Sequence, residues 1–340
     1  MSSPATTRSD ERDPVDQELN YRHAIARALA DEMAADDRVI LIGEDVGAAG
    51  GAFKSTAGLF ERFGPARVRD TPISEQAIVG AATGAAIMGL RPVTEIMFAD
   101  FAGVCFDQIA NQLAKYRYMT GGQVSVPVTI RMTNGAGAGF GAQHSQATEN
   151  WFLNIPGLKI AVPGTVPDLY GLLRSAIRDP DPVLVFEHKA LFAVRGTIPA
   201  EDPLVPLGVA DVAREGGDVT IVATQQMRHR ALEAANELAR EGIEAAVIDP
   251  RTLVPFDDAS VVASLEATSR LAVVQEAPAD GSWGASLISR MLTGHFGLFD
   301  APPVLIAAEP TPVPYAGNLE AAWLPSADRI VAEVRKQVRY

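Results

Sequence analysis

A two-domain α/β fold is predicted by three observations: short uncharged strands recur along the chain, helical stretches alternate with them, and the alternation pauses once in a proline-rich segment. Residues 1–17, rich in Ser, Thr, Asp and Arg, have no such pattern and read as a disordered tail. A helix follows over residues 21–35, with Ile25, Leu29 and Met33 on one stripe, then a strand over 39–42 and the turn Gly43-Glu44-Asp45-Val46-Gly47. Pro72 and Ser74 are helix-start signals, and residues 77–90 (AIVGAATGAAIMGL) carry no charge. Glu75 is therefore expected on the first turn of a helix buried on most sides. That apolar run is shorter than the roughly 20 residues needed to span a bilayer, so it is read as a core helix. Strands at 93–96, 126–131, 158–162 and 183–186 alternate with helices at 107–115 and 168–178. Continuous apolar strands joined by helical crossovers imply a parallel sheet covered on both faces.

The first domain is thus placed at residues 18–196. Residues 197–209, with Pro199, Pro203 and Pro206, read as a linker. A second α/β domain over 210–340 is expected to hold strands at 219–223, 245–248, 271–275 and 304–307, and helices at 229–240, 283–293 and 327–338.

Composition excludes several classes. At 340 residues and 47% hydrophobic content the chain can bury a substantial core. Its 29 basic against 42 acidic residues, net −13 with no Lys/Arg cluster, leave no surface for tracking the phosphates of a nucleic acid. The single cysteine, Cys105, rules out an intramolecular disulfide and sits among apolar residues, where packing is its expected role. The N-terminal residues lack the apolar stretch of a signal peptide, and their acidic members argue against a mitochondrial transit peptide. A cytoplasmic protein without a membrane span is expected.

Several residues could carry chemistry. Glu75 has two readings: a capping acid that satisfies orphan N–H groups of its helix, or a carboxyl with a task in a site. The run Asn134-Gly135-Ala136-Gly137-Ala138-Gly139-Phe140-Gly141-Ala142 contains Gly137-x-Gly139-x-x-Ala142, a loose fit to a pyrophosphate cradle. A nicotinamide-binding reductase would need an acid about 20 residues on, at the end of the next strand, and residues 158–163 end without one. A turn that brings backbone close to a ligand or a subunit is the favoured alternative. His144 follows this run at a strand end, where α/β proteins place ligands, and imidazole is the natural proton carrier near neutral pH. His23, His188, His229 and His295 read as satisfied hydrogen-bonding residues. Glu44 and Asp45 follow the first strand, either facing a ligand or forming a solvated turn, and Glu187-His188-Lys189 reads as a salt-bridged strand end.

Taken in order, Gly43-Glu44-Asp45-Val46, Asp70 to Glu75, Asp107-Gln108-Ile109, Ala142-Gln143-His144-Ser145-Gln146, Pro156-Gly157-Leu158-Lys159 and Ala176-Ile177-Arg178-Asp179 resemble the beta subunit of the thiamine-diphosphate-dependent decarboxylating component of 2-oxo acid dehydrogenase complexes. The resemblance runs from Tyr21 onward and implies a pyrimidine-binding domain followed by a transketolase C-terminal domain. It implies that Glu75 bonds a ring nitrogen of the cofactor's aminopyrimidine, promoting the imino tautomer that deprotonates the thiazolium carbon. By the same resemblance Phe101 packs on the pyrimidine ring. His144 assists proton transfer and the handing of the acyl group to a lipoyl arm, and Glu44 is an acid of the polar tunnel joining paired active sites. A structural potassium ion is implied at Val128, Ala176, Ile177, Asp179 and Asp181, the last standing where relatives often carry Asn.

Thiamine enzymes hold the diphosphate through magnesium bound by a Gly-Asp-Gly motif, which this chain lacks; Gly217-Asp218-Val219 is the nearest fragment. The resemblance therefore implies a separate alpha subunit carrying the Mg2+, in an alpha2-beta2 heterotetramer. The expected function is decarboxylation or cleavage of a small 2-oxo acid or acetoin, with reductive acylation of the lipoyl domain of an acyltransferase component. Pyruvate, branched-chain 2-oxo acids and acetoin all stay open, although Glu187-His188-Lys189-Ala190-Leu191-Phe192 looks most like acetoin- and pyruvate-type relatives. A transketolase-like or deoxyxylulose-phosphate-synthase-like chain would carry its own magnesium motif. A non-catalytic subunit that completes an oligomer would have no use for both Glu75 and His144.

Overall fold

The computed structural model describes residues 16–201 and 204–340. Its strands are β1 (Gln17–Asn20), β2 (Val39–Gly43), β3 (Val68–Asp70), β4 (Arg91–Ile96), β5 (Thr129–Asn134), β6 (Lys159–Ala161), β7 (Val183–His188), β8 (Arg195–Ile198), β9 (Asp211–Arg214), β10 (Val219–Ala223), β11 (Ala245–Asp249), β12 (Thr252–Val254), β13 (Leu271–Val274) and β14 (Val304–Ile306). A seven-stranded sheet runs in the order β12-β6-β7-β5-β4-β2-β3, and a five-stranded sheet in the order β14-β13-β10-β11-β9. Both are parallel except at one edge, where β12 and β9 run antiparallel to their neighbours.

The helices cover the sheets as largely apolar strands require. On one face of the larger sheet, helix Tyr21–Ala35 buries Ile25, Leu29 and Met33 against Leu169, Leu173 and Ile177 of helix Val166–Arg178. The opposite face is covered by helix Glu75–Ile87 and a π-helical turn, Gln108–Leu113. That second core continues without a break into the C-terminal half, taking in Val222, Ile248, Val273, Trp283 and Leu287. Polar links cross the same boundary: Gln225 Nε2 donates to the Phe186 carbonyl at 2.7 Å, and Arg251 pairs with Asp168 at 2.6 Å.

Several expectations need correction. Helix Glu75–Ile87 is not buried on most sides: Ile78, Val79, Ala82 and Ala86 face the core, while Gln76, Ala77, Ala81, Gly84 and Met88 are exposed. An all-apolar helix can pack only one face on a single sheet, and the other stays open in this chain. The strand expected at 126–131 lies at Thr129–Asn134, since Pro127 has no N–H for the ladder. The helix expected at 107–115 is a π-helical turn followed by a short helix, Tyr116–Met119. Most of the expected tail lies outside the described residues, but Gln17 already opens β1, which pairs with β8 and draws residues 197 and 198 of the expected linker into a ribbon. β12 lies within the expected second domain yet adds an edge strand to the first sheet.

The centre of the larger sheet holds a charge. Arg131 on β5 is 1% exposed; it forks onto Glu187 of β7 at 2.6 and 3.0 Å and reaches Glu95 of β4 at 2.8 Å. Glu95 lies opposite Arg131 in the ladder, while Glu187 sits two positions beyond its partner Val185, within reach of a long side chain. Removing the cation would strand two carboxylates in the core, so Arg131→Met is expected to lower unfolding free energy by about 3–5 kcal/mol in chemical denaturation. Replacing all three residues with apolar ones of similar size should restore most of that loss. Parent-like stability of Arg131→Met would show that the triad constrains nothing.

Candidate active site

The chemistry-bearing residues lie just past the carboxyl ends of the parallel strands β2, β3, β4, β5 and β7, where open α/β sheets bind ligands. Glu44 follows β2, Glu75 follows β3, Phe98 and Phe101 follow β4, and the glycine run with His144 follows β5.

Glu75 is buried on the first turn of its helix, and neither it nor the Ser74 side chain caps that helix. Among the described residues no donor bonds the Glu75 carboxyl, which removes the capping reading. Beside it Glu44 is also buried, and one of its carboxyl oxygens has no partner. Burial first, and then the charges of Glu75, Asp45 and Glu95, push the Glu44 carboxyl up from its ordinary range. Asp45, by contrast, is exposed in a left-handed turn position. The hydroxyl of Thr71, at the end of β3, is likewise buried without a partner.

His144 stands edge-on to two phenyl rings, with centroids 4.6 Å from Phe98 and 5.3 Å from Phe101. Phe53 and Phe140 extend this wall. The segment below Phe101 links the two sets of residues. Cys105 lies buried with its thiol against the Phe101 carbonyl, and burial followed by the Glu75 charge pushes that thiol up to about 12. It therefore stays protonated and packs, as expected of it.

The glycine run carries an anion, but one supplied by this chain. Gly135, Gly137, Gly139 and Gly141 all have left-handed φ, between 72° and 89°, which turns alternate N–H groups to one side. Gly137 and Gly139 donate to the Glu320 carboxylate at 2.8 and 3.1 Å, and Ala136 donates to Glu276. No pyrophosphate cradle is left open at that position. Glu276 also meets His188 at 2.6 Å; burial alone would raise its carboxyl, but His188, the Ala136 N–H and Lys189 together hold it low. His188 and His229, the latter bonded to the Gly164 carbonyl at 2.8 Å, are thus satisfied.

The five residues of the implied potassium site gather at the end of helix Val166–Arg178. Ala176 accepts from the Asp179 N–H, and Val128 from that of Val183. Arg91 donates to the Ile177 and Asp179 carbonyls at 2.9 and 3.3 Å. Lys159 bonds the Asp179 carboxylate at 2.7 Å, and Arg117 pairs with Asp181. The donor set is all oxygen, as a hard cation requires, and each carbonyl keeps a second lone pair. The residues therefore fit an alkali ion that shares these carbonyls, although the two carboxylates are already neutralised by side chains.

Sequence reading missed Glu95, Arg131 and Glu187 as a unit, Phe98 beside His144 with Phe53 packed on it, and the distant acids Glu276 and Glu320. The first three were detectable as charges within otherwise apolar strands. Glu276 and Glu320 lie 140 and 183 residues from the backbone groups they bind, and no local pattern announces such a contact.

Residues 17–194 match the transketolase pyrimidine-binding domain, and residues 208–330 match the transketolase C-terminal domain. The chain thus falls in the transketolase-like class. Among curated relatives, the beta subunit of acetoin:2,6-dichlorophenolindophenol oxidoreductase of Bacillus subtilis is 47% identical, over 92% of this chain and 95% of its own. The mitochondrial pyruvate dehydrogenase E1 component subunit beta-1 of Arabidopsis thaliana is 44% identical over 93% and 88%. The 2-oxoisovalerate dehydrogenase subunit beta of Bacillus subtilis is 41% identical over 95% and 99%. A solved structure described as split-gene transketolase, an inactive beta4 tetramer, superposes with a TM-score of 0.78 at 26% identity, covering 94% of this chain and 98% of that one. The chain belongs to the family of E1 beta subunits of pyruvate, acetoin and branched-chain 2-oxo acid dehydrogenases, oxidoreductases of the thiamine-diphosphate-dependent kind.

One buried acid near His144 gives a pH test. Glu149 accepts from Asn134 Nδ2 at 3.0 Å, and burial pushes its carboxyl up to about 7. Because the folded state holds this proton longer than the unfolded chain, stability falls as pH rises from about 4.3 to about 7. Glu149→Gln keeps an acceptor for Asn134 and removes the titration. The variant should be more stable than the parent at pH 8, by on the order of 2–3 kcal/mol, and the advantage should vanish near pH 4. Thermal melts of both proteins across this range check it.

Proposed function

We propose that this chain is the beta subunit of a heteromeric dehydrogenase that works with a separate alpha chain. Together they decarboxylate or cleave a small 2-oxo acid or acetoin and reductively acylate the lipoyl domain of an acyltransferase component. The observation that carries this is Glu75, a residue 7% exposed whose carboxyl no donor bonds among the described residues, at the head of a helix whose largely apolar outer face is open. A carboxyl held there without an internal partner is free to bond a ligand, and an exposed apolar helix face is what a partner subunit covers.

Thiamine diphosphate, when bound, would supply the nucleophilic carbon and the electron sink that the side chains of this chain lack. The residues present fit its pyrimidine half. Glu75 offers its free carboxyl to a ring nitrogen, and Phe101 offers an apolar surface to the ring. Glu44, with an unpartnered oxygen beside Glu75, stands ready as the acid that communicates with a second site. His144, fixed edge-on by Phe98 and Phe101, carries a proton at the substrate and at the acyl acceptor. The magnesium and diphosphate belong on the alpha chain, since this sequence has no Gly-Asp-Gly. A potassium ion at the Val128, Ala176, Ile177, Asp179 and Asp181 oxygens would have a structural part only.

The names of the relatives favour acetoin or pyruvate over a branched-chain substrate, the acetoin oxidoreductase subunits being 46–47% identical. The bacterial relatives support a cytoplasmic location, and among the described residues no helix is long and apolar enough to cross a membrane. An alpha2-beta2 heterotetramer with each cofactor at an alpha–beta interface agrees with the open helix face and with the inactive beta4 state of the split transketolase.

Glu75→Gln should fold and assemble with the alpha chain but lose on the order of 10²- to 10⁴-fold in turnover. Hydrogen–deuterium exchange at the thiazolium carbon should slow with it; near-parent exchange under saturating cofactor would end the proposed role. In isothermal titration the isolated chain should bind thiamine diphosphate weakly or not at all, and tightly with magnesium once the alpha chain is added. Tight binding and decarboxylation by this chain alone would overturn the subunit reading.

A further inference from the structure

The loop that carries His144 is held from both sides. From the first domain, Asp100 accepts from the Gln146 amide and side chain at 3.3 and 2.8 Å. From the C-terminal domain come Glu276 and Glu320, both buried, which bind three N–H groups of the run, those of Ala136, Gly137 and Gly139. A concave row of N–H groups formed by alternating left-handed residues is an anion seat. Here a carboxylate from a seven-residue helix, Gly317–Trp323, fills it. Neither acid is used by the function proposed above.

We infer that Glu320, seconded by Glu276, is a positioning residue: it latches the glycine loop so that His144 stands at a fixed place between Phe98 and Phe101. The C-terminal domain thereby sets the geometry of a proton carrier in the first domain. The chemistry of the seat fits this role. Two N–H donors at 2.8 and 3.1 Å are matched by the two oxygens of one carboxylate, whereas an amide has one acceptor and would turn its own N–H groups toward a donor. An aspartate is one methylene too short to reach. The loop cannot hold its shape without its glycines either: a Cβ at Gly135 would lie 2.2 Å from His188 Nε2.

This inference rests on the proposed role of His144, and the test separates the two. Glu320→Gln, His144→Ala and the double variant are assembled with the alpha chain and assayed with pyruvate or acetoin for acyl transfer to a lipoyl domain. Glu320→Gln should lower kcat about 10- to 100-fold with KM within about twofold of the parent, and should cost nothing further in the His144→Ala background. Gly139→Ala strains the same seat without removing the charge, because φ at this position is 72° although the added methyl meets no neighbour within 4 Å, and it should lower kcat in the same sense. It carries the test if Glu320→Gln fails to fold. A kcat within twofold of the parent for the single latch variant, or multiplied losses in the double variant, would overturn the latch while leaving His144 in place. A fully active His144→Ala would remove the role of His144 and the latch with it.

Discussion

Arg131 is the constraint on which the rest of the site depends. It pairs with both Glu95 and Glu187, and Glu95 in turn lies near Glu44; the arginine sits at the middle of the sheet rather than at its rim. By fixing Glu95 on β4 and Glu187 on β7, it sets the register of three central strands. The carboxyl ends of those strands carry Phe98, Phe101, the His144 loop and His188. A slip of one residue in β5 would turn Arg131 to the other face and carry the glycine loop with it. A buried ion triad is a poor source of stability compared with packed hydrocarbon, but a sensitive gauge of alignment.

The same charge balance leaves the region short of positive charge. Burial raises the Glu187 carboxyl despite the pairing with Arg131, and Glu44 is raised by burial and its acidic neighbours. A cluster of acids with one arginine favours holding protons within the group. Lys189 shows the opposite tendency at the other edge of the site. Burial pulls its amine down to about 8 against Glu276, Asp100 and Glu320, while it donates to the Gly135 carbonyl at the root of the loop.

Much of this was legible in the chain. Strand positions such as 219–223 and helices such as 21–35 follow from apolar periodicity, because each buries one stripe or one whole strand. Glu75 and His144 stood out because an acid opening an uncharged helix and a histidine after a glycine run break the surrounding pattern. What stayed hidden is non-local. β1 and β12 are short, and they exist because partner strands elsewhere need edges. Glu320 looks like any helix acid until the fold brings Gly137 and Gly139 to it. The exposure of helix Glu75–Ile87 was misjudged because an apolar run does not record how much of the helix its own chain covers.

β12 ties the molecule together topologically. The chain leaves the first sheet after β7, passes through β8, builds three strands of the second sheet (β9, β10 and β11), and returns to place β12 on the open edge of β6 before completing the second sheet. Severing the backbone between residues 199 and 210 would not yield two self-sufficient pieces. The first would expose the β6 edge to pairing with foreign strands, and the second would carry an orphan strand and half of a continuous core. The two halves are therefore expected to unfold as one cooperative unit.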